Sequence, residues 1–204
     1  MQSFSEIDTT STRASKAAAF AWGVAEEVGK NIRNVEMFGL PGVKNLNLYL
    51  KKIKKIPSEK PKKIEKKNKP QSEEFCPIYC GTAFLDNCKR LENLKLIKFF
   101  NVSYPLLLLP FLSRASNIIG KKISVKYEKN NFLLNFDKTI FSNNINQDKT
   151  ISKAKEISIE FLENNNSFST KEWKELYRLS EETFVEENES LKTKGAGAGL
   201  TDND

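Results

Sequence analysis

The stretch KISVKYEKNNFLLNF, Lys122–Phe136, decides the fold. Ile123, Val125 and Tyr127 alternate with polar residues, and Phe132, Leu134 and Phe136 alternate on the return. Strand side chains point to opposite faces in turn, so a period of two marks a strand with one buried face. Asn130–Asn131 between the runs can supply the positive φ of a tight turn, and the whole reads as an antiparallel hairpin. Ile157, Ile159 and Phe161 alternate in the same way as a further strand.

The flanks of this hairpin have a different period. Upstream, PLLLLPFLSRASNIIG (Pro105–Gly120) is apolar, with a polar stripe at Ser113, Ser116 and Asn117. It predicts a buried helix starting near Pro105, or at Pro110, because proline is tolerated only in a first helical turn. At the N-terminus, Ala14, Ala17, Ala18, Ala21, Val24, Ala25, Val28, Ile32 and Val35 follow three- and four-residue steps, with Ser5 as a cap. Gly23 predicts a break near Ala21–Gly23 and a restart through Val24 to Phe38. A turn at Gly39–Gly42 leads to a third helix over Val43–Ile56. Residues 57–74 carry three prolines and no apolar period, which reads as a solvated Lys/Pro-rich linker. Ser169 or Thr170 caps a late helix with Trp173, Leu176, Leu179 and Phe184.

Helices first, strands in the middle and a helix last predict an α+β protein. An N-terminal helical subdomain (1–56) packs on a small, mainly antiparallel sheet within a core of residues 75–189. A flexible Gly-rich acidic tail (190–204) follows, with one domain overall.

Composition narrows the chemistry. The 204 residues include no histidine, which excludes Ser-His-Asp and Cys-His catalysis and histidine-ligated zinc. Residues 51–70 hold ten lysines and two glutamates, a net of +8 on a chain of total charge +7, so the remainder is close to neutral. The excess is lysine rather than arginine, and no aromatic lies inside the run, which disfavours a nucleic-acid partner. Cys76, Cys80 and Cys88 lack the paired spacing of a metal site and read as unligated thiols in a packed segment. With no long apolar run and no signal-peptide pattern, a cytoplasmic location and no membrane partner are expected.

A few residues stand out as candidates for chemistry. Glu26 precedes Lys30 by four residues, the spacing of a surface ion pair. Glu27 lies nearer the apolar stripe, where a carboxylate of raised pKa could serve as a general base. Trp22 precedes them by four and five residues and is a candidate ligand-binding side chain. Arg114, inside an apolar helix, must be paired, either with a ligand carboxylate or with a Glu or Asp of the chain. Gly195, Gly197 and Gly199 cannot form a dinucleotide loop, since only five residues follow. They form an arm delivering Thr201, Asp202, Asn203 and Asp204, whose carboxylates could hold a divalent cation or enter a partner's site. An idle tail is the competing reading.

Four segments, AWGVAEEVGKNIR (Ala21–Arg33), CPIYCGTAFLDN (Cys76–Asn87), PLLLLPFLSRAS (Pro105–Ser116) and KGAGAGLTDND (Lys194–Asp204), together resemble a bacterial family of unknown function, domain-of-unknown-function family 3726. The resemblance implies one soluble bacterial domain, supplies no activity or cofactor, and makes an idle tail less attractive. The expected function is small-molecule binding or turnover by carboxylates and arginine: Glu26 or Glu27 as base, Arg114 as anion anchor, and the tail closing over the ligand. The alternative is a non-catalytic companion subunit whose Gly-rich arm inserts into a partner enzyme.

Overall fold

The computed structural model describes residues 2–56, 58–143 and 149–183. The chain forms two compact units, 1–164 and 165–204. In the first, α1 (Phe4–Ala17), α2 (Trp22–Met37) and α3 (Gly42–Ile53) are followed by β1 (Lys67–Asn68), α4 (Pro77–Asp86), α5 (Cys88–Leu91) and β2 (Leu96–Ser103). A 3-10 turn over Pro105–Leu108 then leads into α6 (Leu109–Ile119), β3 (Ile123–Tyr127), β4 (Asn130–Asn135), β5 (Thr139–Ser142) and β6 (Lys153–Phe161). The described part of the second unit contains α7 (Thr170–Glu181). The fold class is α+β, with the N-terminal helices ahead of a mainly antiparallel sheet.

The sheet order is β1-β2-β6-β3-β4-β5, and only the β1–β2 pair is parallel. β6 is central, with Ile157 opposite Phe99 on one side and Tyr127 on the other. One face of the sheet is apolar. Ile97, Phe99, Val125, Ile157 and Ile159 are all essentially inaccessible and pack with Leu112 and Ala115 of α6. Full burial of each such side chain stabilises by about 1.5–3 kcal/mol. A second apolar cluster joins Val28 and Ile32 of α2 to Leu46 and Tyr49 of α3 and to Phe111 of α6.

The helix starts follow capping chemistry. Ser3, not Ser5, caps α1: its hydroxyl accepts from the Glu6 N–H while the Glu6 carboxylate accepts from the Ser3 N–H. Ser169 and Glu172 repeat this box at α7. The break expected near Ala21–Gly23 falls just before Trp22, and Gly23 lies inside the first turn of α2. α1 buries Ser11 and Ser15, while Ala17 is exposed. Small residues let α1 lie close to α2, where a Cβ on Gly29 would meet the Thr12 hydroxyl at 2.0 Å.

Two further expectations need correction. The Lys/Pro-rich segment is not merely a solvated linker. Ile64 and Asn68 are buried, Glu59 and Phe75 bridge in parallel, and Lys67–Asn68 is the edge strand. Its lysines hide this from a periodicity search, yet charged side chains on an edge protect it from pairing with other chains. The hairpin turn uses Glu128 at φ +50, not Asn130–Asn131, which are paired within β4. Of the two helix starts expected after Pro105, the later one holds: the stretch opens as a 3-10 turn, and Pro110 lies in the first turn of α6.

The contact between α4 and α6 has no spare room. A Cβ on Gly81 would lie 2.3 Å from a ring carbon of the buried Phe111, whereas nothing lies within 4 Å of a Cβ on Gly23. Gly81→Ala is therefore expected to destabilise by about 1–3 kcal/mol through overpacking. Gly23→Ala should stabilise by about 0.4–1 kcal/mol by narrowing the conformational freedom of the unfolded chain. Urea denaturation of both variants checks the contrast, and shifts of the same sign would contradict it.

Candidate functional site

Arg114 projects from α6 toward α2, and its Nη1 donates to Glu27 Oε2. The arginine ties the helix to a carboxylate of the chain, one of its two expected pairings. Both side chains are about 70% buried. Lys30 pairs with Glu27 at 3.7 Å, the i,i+3 partner, and Glu26 is exposed. The expected Glu26–Lys30 pair is thus replaced, because Glu27 already lies on the side facing α6. Glu27 is engaged by two cations rather than standing as an isolated base.

Four further polar side chains, Asp137, Ser116, Ser113 and Asn31, stand on α6, α2 or the β4–β5 turn. Asp137 lies in the β4–β5 turn, where Phe136 and Asp137 both adopt positive φ, +53 and +57. Such backbone is costly for a bulky side chain and persists only when its surroundings impose it. Here the Ser116 hydroxyl accepts from the Phe136 N–H and donates to the Lys121 carbonyl. Burial pushes the Asp137 carboxyl above its ordinary range, while Ser113 and the Arg114 charge act against that rise. Ser113 is near enough to influence it, yet neither Ser113 Oγ nor Asp137 Oδ1 completes a well-aligned hydrogen bond. Asn31 follows Glu27 by one turn on the same side of α2; it is 1% exposed and both its amide atoms lack a partner. Unfilled buried polar atoms are the exception in folded proteins and mark where a polar molecule, water included, can be held.

The α2–α3 turn and β5 bound a concavity of about 540 Å³. Its walls are Phe38, Leu40 and Pro41 from the α2–α3 turn and Ile140 and Phe141 from β5, with Lys44, Lys149, Ser142 and Thr150 as polar lining. Lys149 is 5% exposed; its ammonium donates to Asn130 Oδ1 at 3.2 Å and lies 5.4 Å from the Phe132 ring. Burial pulls its pKa below the usual lysine range.

The other sequence candidates are not gathered there. Trp22 is exposed, with the Lys16 ammonium 5.3 Å from its ring. Gly195, Gly197, Gly199, Thr201, Asp202, Asn203 and Asp204, and the divalent cation expected among them, lie outside the described residues, as does Phe184. The three cysteines are free and buried. Cys76 caps α4 and accepts from the Tyr49 hydroxyl at 2.8 Å, and burial raises its thiol pKa, the opposite of an activated nucleophile. Lys60 and Lys69 of the basic run lie over the rings of Tyr79 and Phe100.

Sequence reasoning missed Asp137, Asn31 and Lys149, and read Ser113 only as part of a polar helix stripe. It also missed Lys52, which pairs at 2.6 Å with the buried Glu74 and donates to the Ser103 hydroxyl, pinning the end of α3 to the end of β2. Only the Asn31 spacing from Glu27 was visible in the sequence.

The Asp137 environment has a signed consequence. Its folded-state pKa is raised, so the protonated form is favoured by folding. The fold bears no penalty below the unfolded value and an increasing one as pH rises through the folded value. Asp137→Asn should therefore raise Tm at pH 7, with the gain fading as pH falls toward about 4 and absent below it. A gain that grows in acid would contradict this. Removal of Arg114 and Glu27 charges in a double-mutant cycle should give a coupling of about 0.5–1 kcal/mol, modest because both groups are partly solvated.

Among the described residues no helix is long and apolar enough to cross a membrane, and no group of His, Cys, Asp or Glu is arranged to hold a metal ion. No curated protein and no solved structure matches the chain. A family described as protein of unknown function (DUF3726) matches residues 2–77, from the start of α1 to the first residue of α4. The match contains Ala21–Arg33, and with it Trp22, Glu26 and Glu27, together with the Lys/Pro-rich segment; it ends before Arg114 and Asp137. Over that stretch the resemblance to domain-of-unknown-function family 3726 is shown, and the description of the family states no activity.

Proposed function

We propose that this protein binds a small molecule in the concavity between the α2–α3 turn and β5. The observation that carries the reading is a recess of about 540 Å³ with apolar walls and a charged side chain more than nine-tenths buried beside it. Small-molecule sites are typically of this size, mostly apolar, with a few placed polar groups. Glu27 on α2 and Asp137 in the β4–β5 turn stand on the elements that lead into the two walls of the concavity. Binding is favoured over turnover, because Glu27 is held by Arg114 and Lys30.

A fragment screen by NMR on the full chain tests this. Hits should perturb Leu40, Ile140 and Phe141, and Phe141→Asp should remove them with little change in Tm, since Phe141 is exposed. Unchanged binding in that variant would refute the assignment.

One observation favours the companion-subunit reading. Within its own unit, α7 is self-capped and presents Trp173, Leu176 and Tyr177 at more than half exposure, an apolar stripe of the kind that docks on another surface. In that case a co-purifying enzyme should be lost both on Leu176→Glu and on removal of residues 195–204. An enzyme that stays bound to both variants would count against it.

A further inference from the structure

Among the described residues of the second unit, α7 combines an apolar face with a complete absence of buried side chains. Trp173, Leu176, Tyr177 and Leu179 are each more than half exposed. Isolated helices shorter than about 12–15 residues are marginal in water, because nucleation is costly and most helical stability comes from packing an amphipathic face. α7 has 12 residues. Its capping box at Ser169 and Glu172 starts the helix, and a docked face completes its stability.

The charge pattern says what that face accepts. With successive side chains about 100° apart around the axis, Trp173, Leu176, Tyr177 and Ser180 fall in one sector. Lys174 and Arg178 lie on the flank beyond Tyr177, and Glu172 and Glu175 on the flank beyond Leu176. Lys171 meets Glu175 at 3.9 Å across the back of the helix, and Glu181 in the last turn is the one carboxylate on the basic flank. The helix carries three cations and three carboxylates. A balanced charge attracts neither an anionic membrane surface nor a strongly charged partner. Segregated flanks make the surface its own complement.

We infer that the occupant of this face is α7 of a second copy of the chain, the two helices running parallel about a two-fold axis. In a two-fold pair the same patch of both copies forms the contact. When the helices are parallel, the Lys174 flank of one lies against the Glu172 flank of the other, on both sides of the apolar seam. When they are antiparallel, like flanks meet and repel. The inference is independent of the concavity, and it gives α7 a different occupant from the partner enzyme of the companion-subunit reading.

Sedimentation equilibrium of the full chain tests this. A contact between two helices of this length lies below the standard interface size, so a dimer with Kd on the order of 10–100 μM is expected. Leu176→Glu should weaken it about tenfold or more by placing a carboxylate in the apolar sector, with Tm little changed because Leu176 is exposed. Lys174→Glu should weaken it severalfold, and that effect should shrink in about 1 M salt. Ser180→Cys should cross-link to its own copy on oxidation, against a low background because the three native thiols are buried. A parallel pair sets Ser180 opposite itself, whereas an antiparallel pair centred on Leu176 sets the two copies apart on either side of the midpoint.

A chain that stays monomeric up to about 1 mM overturns the proposal, as does a dimer that persists unchanged in Leu176→Glu. A dimer without the Ser180→Cys cross-link overturns the parallel arrangement. Removal of residues 195–204 should leave the dimer intact, in contrast to the arm-dependent companion reading, and loss of the dimer in that variant overturns the assignment to α7.

Discussion

The burial of the segment from Pro105 to Ile119 is the constraint on which the rest of the first unit depends. This segment lies between two apolar clusters. Leu106, Leu108, Leu109, Leu112 and Ala115 belong to the sheet-facing one, and Leu107 and Phe111 to the one shared with α2 and α3. A helix that is apolar almost all round must be covered on nearly every side. The sheet, α4 and α2 supply that cover, and each is attached at a particular residue. Gly81 admits α4 against Phe111, Ser116 bonds to β4 and its turn, and Arg114 draws in α2 through Glu27.

The polar side chains of α6 therefore do two things. They satisfy backbone groups that burial would otherwise leave unpaired, and they set the geometry of the seam between α2 and the β4–β5 hairpin. Ser116 holds the turn in which Phe136 and Asp137 take positive φ, which turns Asp137 toward Ser113 and the Arg114 charge. The same hairpin continues into Ile140 and Phe141, one wall of the concavity. A strained turn, a half-buried carboxyl and a recess are thus connected through one helix.

Elements with strong local periodicity were legible before the structure. β3, the return strand β4, β6, α2 and α7 all follow from spacing, because each has one apolar and one polar side. β2, β5 and α4 were not. β2 alternates, but Leu96 and Phe100 place large apolar groups on its other side and blur the period. β5 is only four residues long, and Pro77–Asp86 is apolar in composition without a clear polar stripe. The edge strand inside the lysine-rich run could not be read at all. Its two residues, Lys67 and Asn68, pair with β2 residues 31 positions away, and neither side chain is apolar.

The candidate site divides along the same line. Composition and spacing by themselves determined an α+β chain without histidine chemistry, a helix in which Arg114 required a partner, and a charge excess confined to one segment. These follow from local rules, since periodicity, capping and the cost of an unpaired buried charge act over a few residues. The tertiary structure decided the rest. Glu27 answers Arg114 across 87 positions, Asp137 is half-buried beside a helix that ends well before it, and a recess forms where an α2–α3 turn meets a strand a hundred residues later. Such groups meet only because a buried helix must be covered from several sides, and which parts of the chain cover it is set by packing over long separations rather than by any local pattern.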